Sequence, residues 1–268
     1  TALLINGDNT EVNGFWSDSH SDIGIGSSIQ IIKNTVLRNL YTVLGDKKSR
    51  ENTIFNISST LGFDNLLIDG LNTIVSPDSI SHAPIYFARY FNSNTKKGRN
   101  LKLQNITIRT DAPINSNGVI IKHIENLSIS GVKYINSSGN PHYRLIQIEN
   151  SKNIFIHDVQ IDGVNQIGIF ISNCLGAVTV SQVVNHFAST AAIYNDNCTD
   201  FLAIGCDQTK VTGQQTPTYQ YAKLMVGNTS NRTVTGCTTG WTQYFDTTIN
   251  KPIWWNGSGW SDSNGFNV

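Results

Sequence analysis

The sequence predicts an all-β protein, a right-handed parallel β-helix with three strands per turn. Three observations lead there. A short phrase recurs: an Asn, an apolar residue, a gap of one, another apolar residue, and a third apolar residue three places on. It reads Asn65, Leu66, Ile68, Leu71, then Asn100, Leu101, Leu103, Ile106, then Asn126, Leu127, Ile129, Val132, then Asn153, Ile154, Ile156, Val159. The alternation of two inside each phrase is a strand signal, because successive side chains of a strand point to opposite faces. Finally, the phrase recurs at a near-fixed period, which is the mark of a stacked repeat.

The weaker copies set the limits of the repeat. Asn34, Thr35, Leu37 and Leu40 open it, and Asn231, Val234 and Cys237 keep only its frame. Between them, Val178, Val180 and Val183 hold the apolar triplet without the Asn, and Leu202 and Ile204 read as two of its members. With Ala177 and Phe201 taken as the Asn equivalents, the anchors are spaced 31, 35, 26, 27, 24, 24 and 30 residues apart. Most phrases are followed by a second alternating run, such as Val132 and Tyr134, and later by a third, such as the RLIQIEN that ends at Asn150. A leucine-rich repeat would need more Leu and a helix per unit, and no stretch of useful length shows a helical period.

The elements follow in order. Residues 1–30 read as an opening turn or cap, with short strands at Leu3–Ile5 and Glu11–Trp16 and with Ile23, Ile25 and Ile29 leading inward. A solenoid exposes its core at its ends, so terminal turns are atypical, and Trp16 is a candidate part of the cap. Residues 31–240 read as the β-helix. Segments at 44–52, 76–83, 92–99, 111–117, 136–143 and 212–220 carry the Pro, Gly, Ser and Lys of loops that leave a rung. Residues 241–268 read as a separate cap or chain-contact tail.

Composition narrows the function. The chain has 268 residues, 39% hydrophobic and 14% charged, with a formal net charge of zero. That balance speaks against nucleic acid as the partner, which would call for a basic stripe. No apolar run is long enough to span a membrane, and the first residues lack the basic start and apolar core of a signal peptide; the reading is a soluble chain that can begin inside a longer protein. The four cysteines are Cys174, Cys198, Cys206 and Cys237. Cys174 and Cys198 fall at equivalent points of successive turns and should stack. There is no CxxC pair, so neither a metal nor a cofactor is expected, and the cysteines read as small buried residues in a reducing cytoplasm.

Stacking also registers the outer face, where chemistry would sit. Aligned at Asn150, Asn173, Asn197 and Asn228, with His123 one turn earlier, two outward columns emerge. One reads Ile120, Gln147, Phe170, Tyr194, Met225 and the other Lys122, Glu149, Ser172, Asp196, Gly227. Rungs lie ~4.8 Å apart, which puts Glu149 and Asp196 about 9.6 Å apart at the backbone. Side-chain lean brings such a pair into the roughly 6.5–9.5 Å range of inverting glycosidases, where one carboxyl protonates the leaving oxygen and the other activates water. Phe170 and Tyr194 would offer flat apolar surface to sugar rings, with Lys122 and Gln147 beside them; packing against a neighbouring chain is the alternative use of the two rings. A second choice is Asp162 with His186, predicted on adjacent rungs next to Arg109, Ile135 and Lys210, as a base and its orienting partner. The Asn columns themselves read as structural turn residues whose amides satisfy one another.

The tail adds a resemblance. Residues 241–268 hold four of the five tryptophans, and within them lies YFDTTINKPIWWNGSGW. In its order of Phe245-Asp246-Thr247-Thr248, Lys251-Pro252 and Trp254-Trp255-Asn256-Gly257, this segment resembles one that recurs at the C-terminal ends of bacteriophage tail proteins, tailspikes among them. The resemblance covers about 17 residues and implies a virion tail protein, made in the bacterial cytoplasm and acting at the host surface, with a pectate-lyase-like β-helix. It further implies a homotrimer, contacts to other tail proteins, and a bacterial surface polysaccharide, capsule or O-antigen, as the partner. The expected function is therefore a tailspike that binds and hydrolyses such a glycan. The alternatives are a receptor-binding spike that cuts nothing, and a polysaccharide lyase, for which His142, Tyr143 and Arg144 supply the residue types that neutralise a uronate and move a proton. The tail itself would cover the last rung or knit chains together.

Overall fold

In the computed structural model, residues 3–17, 23–25, 31–44, 55–56, 62–75, 84–87, 97–111, 118–185, 187–198, 200–206, 211–213, 223–232, 242–262 and 267 are described. The chain divides into two compact units, Thr1–Thr216 and Pro217–Val268.

The first unit is a parallel β-helix. Strands Glu11–Ser17, Ile32–Leu44, Gly62–Val75, Lys97–Thr110, Ile124–Asn136, Lys152–Asp162, Leu175–Asn185 and Phe201–Ile204 lie side by side in one eight-stranded sheet, every described pairing parallel. Strands Ile85–Phe87, Val119–Lys122, His142–Glu149, Asn165–Ser172, Ala188–Asp196 and Val211–Gly213 form a second parallel sheet. The short strands Leu3–Ile5, Ile23–Ile25 and Phe55–Asn56 form a third. Inward side chains stack in register: Leu37, Ile68, Leu103, Ile129, Ile156 and Val180 make one buried column, and Ile85, Val119, Ile146, Ile169, Ile193 and Val211 another.

The corners explain the recurrent Asn. Asn9, Asn34, Asn65, Asn100, Asn126, Asn153 and Gly176 all have positive φ, as do His123, Asn150, Asn173 and Asn197 at a second corner. Left-handed backbone costs an ordinary L-residue roughly 1–2 kcal/mol, and Asn or Gly adopts it most readily. The Asn side chains then bridge the turns: Asn65 Nδ2 donates to Asn34 Oδ1 at 2.9 Å, Asn126 to Asn100 at 3.0 Å and Asn153 to Asn126 at 2.9 Å. A third corner, at Asn39, Gly70, Asn105, Gly131, Asp158, Gln182 and Gly205, is one left-handed residue wide. Ladder hydrogen bonding resumes on both sides of it, so the first two predicted strands of a turn form one bent strand of 11–14 residues.

Two anchor assignments shift by one residue. The left-handed residue of the sixth phrase is Gly176, where the register slips between Lys152 and Ile154 and Ala177 becomes an extra residue. Gly176 takes this left-handed backbone at φ +68°, and a Cβ there would press on Asn153 Oδ1 unless that side chain moved. In the next turn Val178 pairs with Phe201 and Thr179 with Leu202, so Asp200, not Phe201, is the Asn equivalent. A one-residue shift flips a strand's faces: Phe201 is buried, and Leu202 and Ile204 point outward.

At the start of the chain, Glu11–Ser17 is a full edge strand paired with Ile32–Leu44, and Trp16 stands outward beside Tyr41 with 65% of its surface exposed. It does not cover the core there.

The second unit holds Lys223–Gly227, Thr242–Asp246, Lys251–Trp255 and Trp260–Ser261 in a four-stranded sheet, the last three antiparallel. Tyr244, Ile253 and Trp260 form its small core with Trp255 packed against them. The predicted column members Met225 and Gly227 belong here, paired with Tyr244 and Asp246, and the carbonyl of Asn228 accepts the Tyr244 hydroxyl at 2.8 Å. On the β-helix the neighbour of Tyr194 is instead Thr212.

Candidate functional site

The outer face of the His142–Ser172 region brings most of the predicted site together. Strand alternation sends Gln147 and Glu149 outward from the buried Ile146 and Ile148, and register does the rest. Lys122, Glu149, Ser172 and Asp196 occupy four successive rungs, and Ile120, Gln147, Phe170, Tyr194 and Thr212 run alongside.

The acid column is internally wired. Lys122 Nζ lies 2.7 Å from Glu149 Oε2, and Gln147 Nε2 donates to Glu149 Oε1. Burial pushes the Glu149 carboxyl up, but the hydrogen bonds from Lys122 and Gln147 and the charges of Lys122 and Arg144 outweigh it, leaving the group below the usual glutamate range. Glu149 is thus an anion at neutral pH, suited to activate water and unsuited to protonate a leaving group. Ser172 Oγ donates to Asp196 Oδ2 at 3.1 Å and accepts from Asn173 Nδ2 at 3.0 Å, which in turn ties to Asn197 through a 3.0 Å bond. Asp196 is exposed, while Ser172 is only 5% exposed beside it.

The aromatic column is stacked. Phe170 and Tyr194 lie 5.7 Å apart at 22°. The Arg144 guanidinium sits 3.5 Å from the Phe170 ring centroid, and Arg144 Nη2 donates to Tyr143 Oη at 3.1 Å. With a cation on one face and a ring on the other, Phe170 has no free face, and it is 6% exposed. Tyr194 is half-buried, with Thr212 next along the column.

The lyase-type trio does not converge. His142 is not in a loop; it opens strand His142–Glu149, points inward and is fully buried, with Tyr134 Oη 2.6 Å from its Nδ1. Tyr143 points out, 43% exposed, and Arg144 is laid across Phe170. For the second choice, Asp162 follows Arg109 and Ile135 in register, and its Oδ2 accepts from Gln160 at 3.0 Å with Lys133 at 4.0 Å. His186 and Lys210 lie outside the described residues.

Sequence reasoning missed two features. The Arg144–Phe170 stack joins residues of adjacent rungs from non-matching columns, which column alignment cannot show. The other is Asp246, in the tail segment, with no exposed side-chain surface. It accepts from Arg232 Nε at 2.6 Å, Thr229 Oγ1 at 2.9 Å and the backbone N–H groups of Thr248 and Ile249 at 2.8 and 3.3 Å. Burial pushes this carboxyl up, yet those bonds win and hold it down at about 2. The Asp-Thr-Thr order was the available signal, since Asp caps the turn two residues on. Among the described residues no group of His, Cys, Asp and Glu has the makings of a metal site.

No protein-family model and no curated protein matches this chain. Among solved structures, bacteriophage CBA120 tailspike protein 3 is similar at 12% identity with a TM-score of 0.18, over 98% of this chain and 60% of that one. This chain therefore spans 60% of the length of that tailspike, and a TM-score so low shows neither a shared site nor a shared activity.

Proposed function

We propose that this chain is a tailspike-type protein of a bacteriophage virion that binds a bacterial surface polysaccharide and cleaves it by hydrolysis. The observation that carries the reading is the pair of outward columns: carboxylates Glu149 and Asp196 two rungs apart beside the stacked rings of Phe170 and Tyr194. In this reading Glu149, held ionised, activates water, and Asp196 is the proton donor to the leaving oxygen. Lys122 and Gln147 hold Glu149, Tyr194 packs a sugar ring, and Phe170 and Arg144 support Tyr194 from behind. Tyr143 extends the contact surface. The resemblance of the tail segment to phage tail proteins supports the location, and a homotrimer attached to other tail proteins is part of the same proposal.

The second reading, a spike that binds glycan and cuts nothing, is favoured by one observation. Lys122 and Gln147 satisfy Glu149 as a structural ion pair would.

Purified protein incubated with capsule or O-antigen of a susceptible host separates these. New reducing ends that disappear in both Glu149→Gln and Asp196→Asn, with binding retained, support hydrolysis at this site. Adsorption without new ends supports the binder. An unsaturated, ultraviolet-absorbing product indicates a lyase.

A further inference from the structure

Cys174 and Cys198 have the same address on consecutive turns. Each follows a left-handed Asn, Asn173 or Asn197, at the same corner. The rungs before them are in register, Ser172 opposite Asp196, and Asn173 N donates to Asp196 O at 2.9 Å. Each sulfur also leans on the carbonyl two residues back, Cys174 Sγ on Ser172 O at 3.3 Å and Cys198 Sγ on Asp196 O at 4.0 Å. Equivalent backbone and equivalent side-chain direction stack the two sulfurs; neither residue is in a disulfide, and they are 0% and 2% exposed. In-register rungs ~4.8 Å apart fall inside the roughly 4.4–6.8 Å window of Cα separations that a disulfide spans.

We propose that Cys174 and Cys198 are a disulfide site joining consecutive turns, closed by exchange with a low-molecular-weight disulfide once the folded chain leaves a reducing compartment. The proposal is independent of any activity on polysaccharide. The two thiols share a hydrogen bond that lowers the Cys198 pKa and raises that of Cys174, which burial raises further. Cys198 is therefore the attacking sulfur. Local opening of the corner at Asn197 brings Cys198 to solvent, where it loses its proton and its thiolate displaces one half of oxidised glutathione, forming a mixed disulfide and releasing one glutathione thiolate, which takes up a proton. Cys174 then loses its proton to solvent, attacks the Cys198 sulfur and expels the second glutathione. Two protein thiols are oxidised, and one oxidised glutathione becomes two reduced ones. The bond ties the rung of Ser172 to the rung of Asp196 in the core behind the outer face.

The test uses the folded full chain, incubated with oxidised glutathione, quenched in acid, alkylated and mapped by mass spectrometry. The expected product lacks two hydrogens, links the peptides of Cys174 and Cys198, leaves Cys206 and Cys237 alkylatable, and reverts with dithiothreitol. The thermal midpoint rises by roughly 5–10 °C on oxidation. Cys174→Ser and Cys198→Ser each abolish the link, and Cys206→Ser keeps it. Should either variant fail to fold, the map of the unsubstituted chain decides. A glutathione adduct that persists on either cysteine, a link through Cys206 or Cys237, or four thiols still alkylatable after oxidation overturns the proposal.

Discussion

Lys122 Nζ stands 2.7 Å from Glu149 Oε2, one rung away on the outer face, and this ion pair fixes the charge of the carboxylate at the centre of the candidate site. Replacing Lys122 with Met leaves Glu149 partly buried without its cation. The variant should lose about 1–2 kcal/mol at pH 7, read by urea denaturation.

The same pair predicts an acid limb. The folded-state pKa of Glu149 lies below its ordinary value of 4.5. Its contribution to stability is therefore complete above that value and is lost as pH falls through the folded pKa. Urea midpoints measured from pH 6 downward should decline below about pH 4.5, and the decline should be shallower in Lys122→Met.

In the second unit, the bonds to Asp246 hold its carboxyl down at about 2. Its stabilising effect is present above the ordinary value of 3.8 and disappears only as pH falls toward 2. Asp246→Asn weakens the bond from Arg232 and the two backbone donors. Since four of the five tryptophans lie in residues 241–268, tryptophan fluorescence should report a thermal midpoint lower by several degrees, with the far-ultraviolet signal of the β-helix little changed.

At the corners, Asn126 has φ of 61° and sits in the middle of the amide ladder, donating to Asn100 and accepting from Asn153. Asn126→Val loses both bonds and forces a β-branched residue into left-handed backbone, a cost of about 2–4 kcal/mol. Asn126→Gly keeps the backbone conformation and should cost only about 1 kcal/mol. Equal losses in the two variants, by equilibrium denaturation, would place the cost in the amides alone.

The solenoid was legible because its physics repeats: Leu66, Leu101, Leu127 and Ile154 face inward for the same reason, and the Asn before each takes the same left-handed turn. The columns through Glu149 and Asp196 follow from that register. What failed to show was non-periodic. Gly176 replaced an Asn and brought an extra residue, so the next phrase was read one place late, with Leu202 and Ile204 turned inward. Met225 followed an alternating run like any rung, yet it pairs with Tyr244, whose partner strand is hairpin-linked and not part of the period. His142 sat in a Pro-containing stretch and read as loop, but its ring is claimed by the Tyr134 hydroxyl inside the core.

The most direct test is a crystal of the protein soaked with an oligosaccharide from a susceptible host's capsule or O-antigen. The account predicts a sugar ring against Tyr194, with a glycosidic oxygen between Glu149 and Asp196. A glycan bound on the opposite sheet, at the Phe155–His157 face, or a sugar chain that passes Tyr194 without approaching either carboxylate, would contradict it.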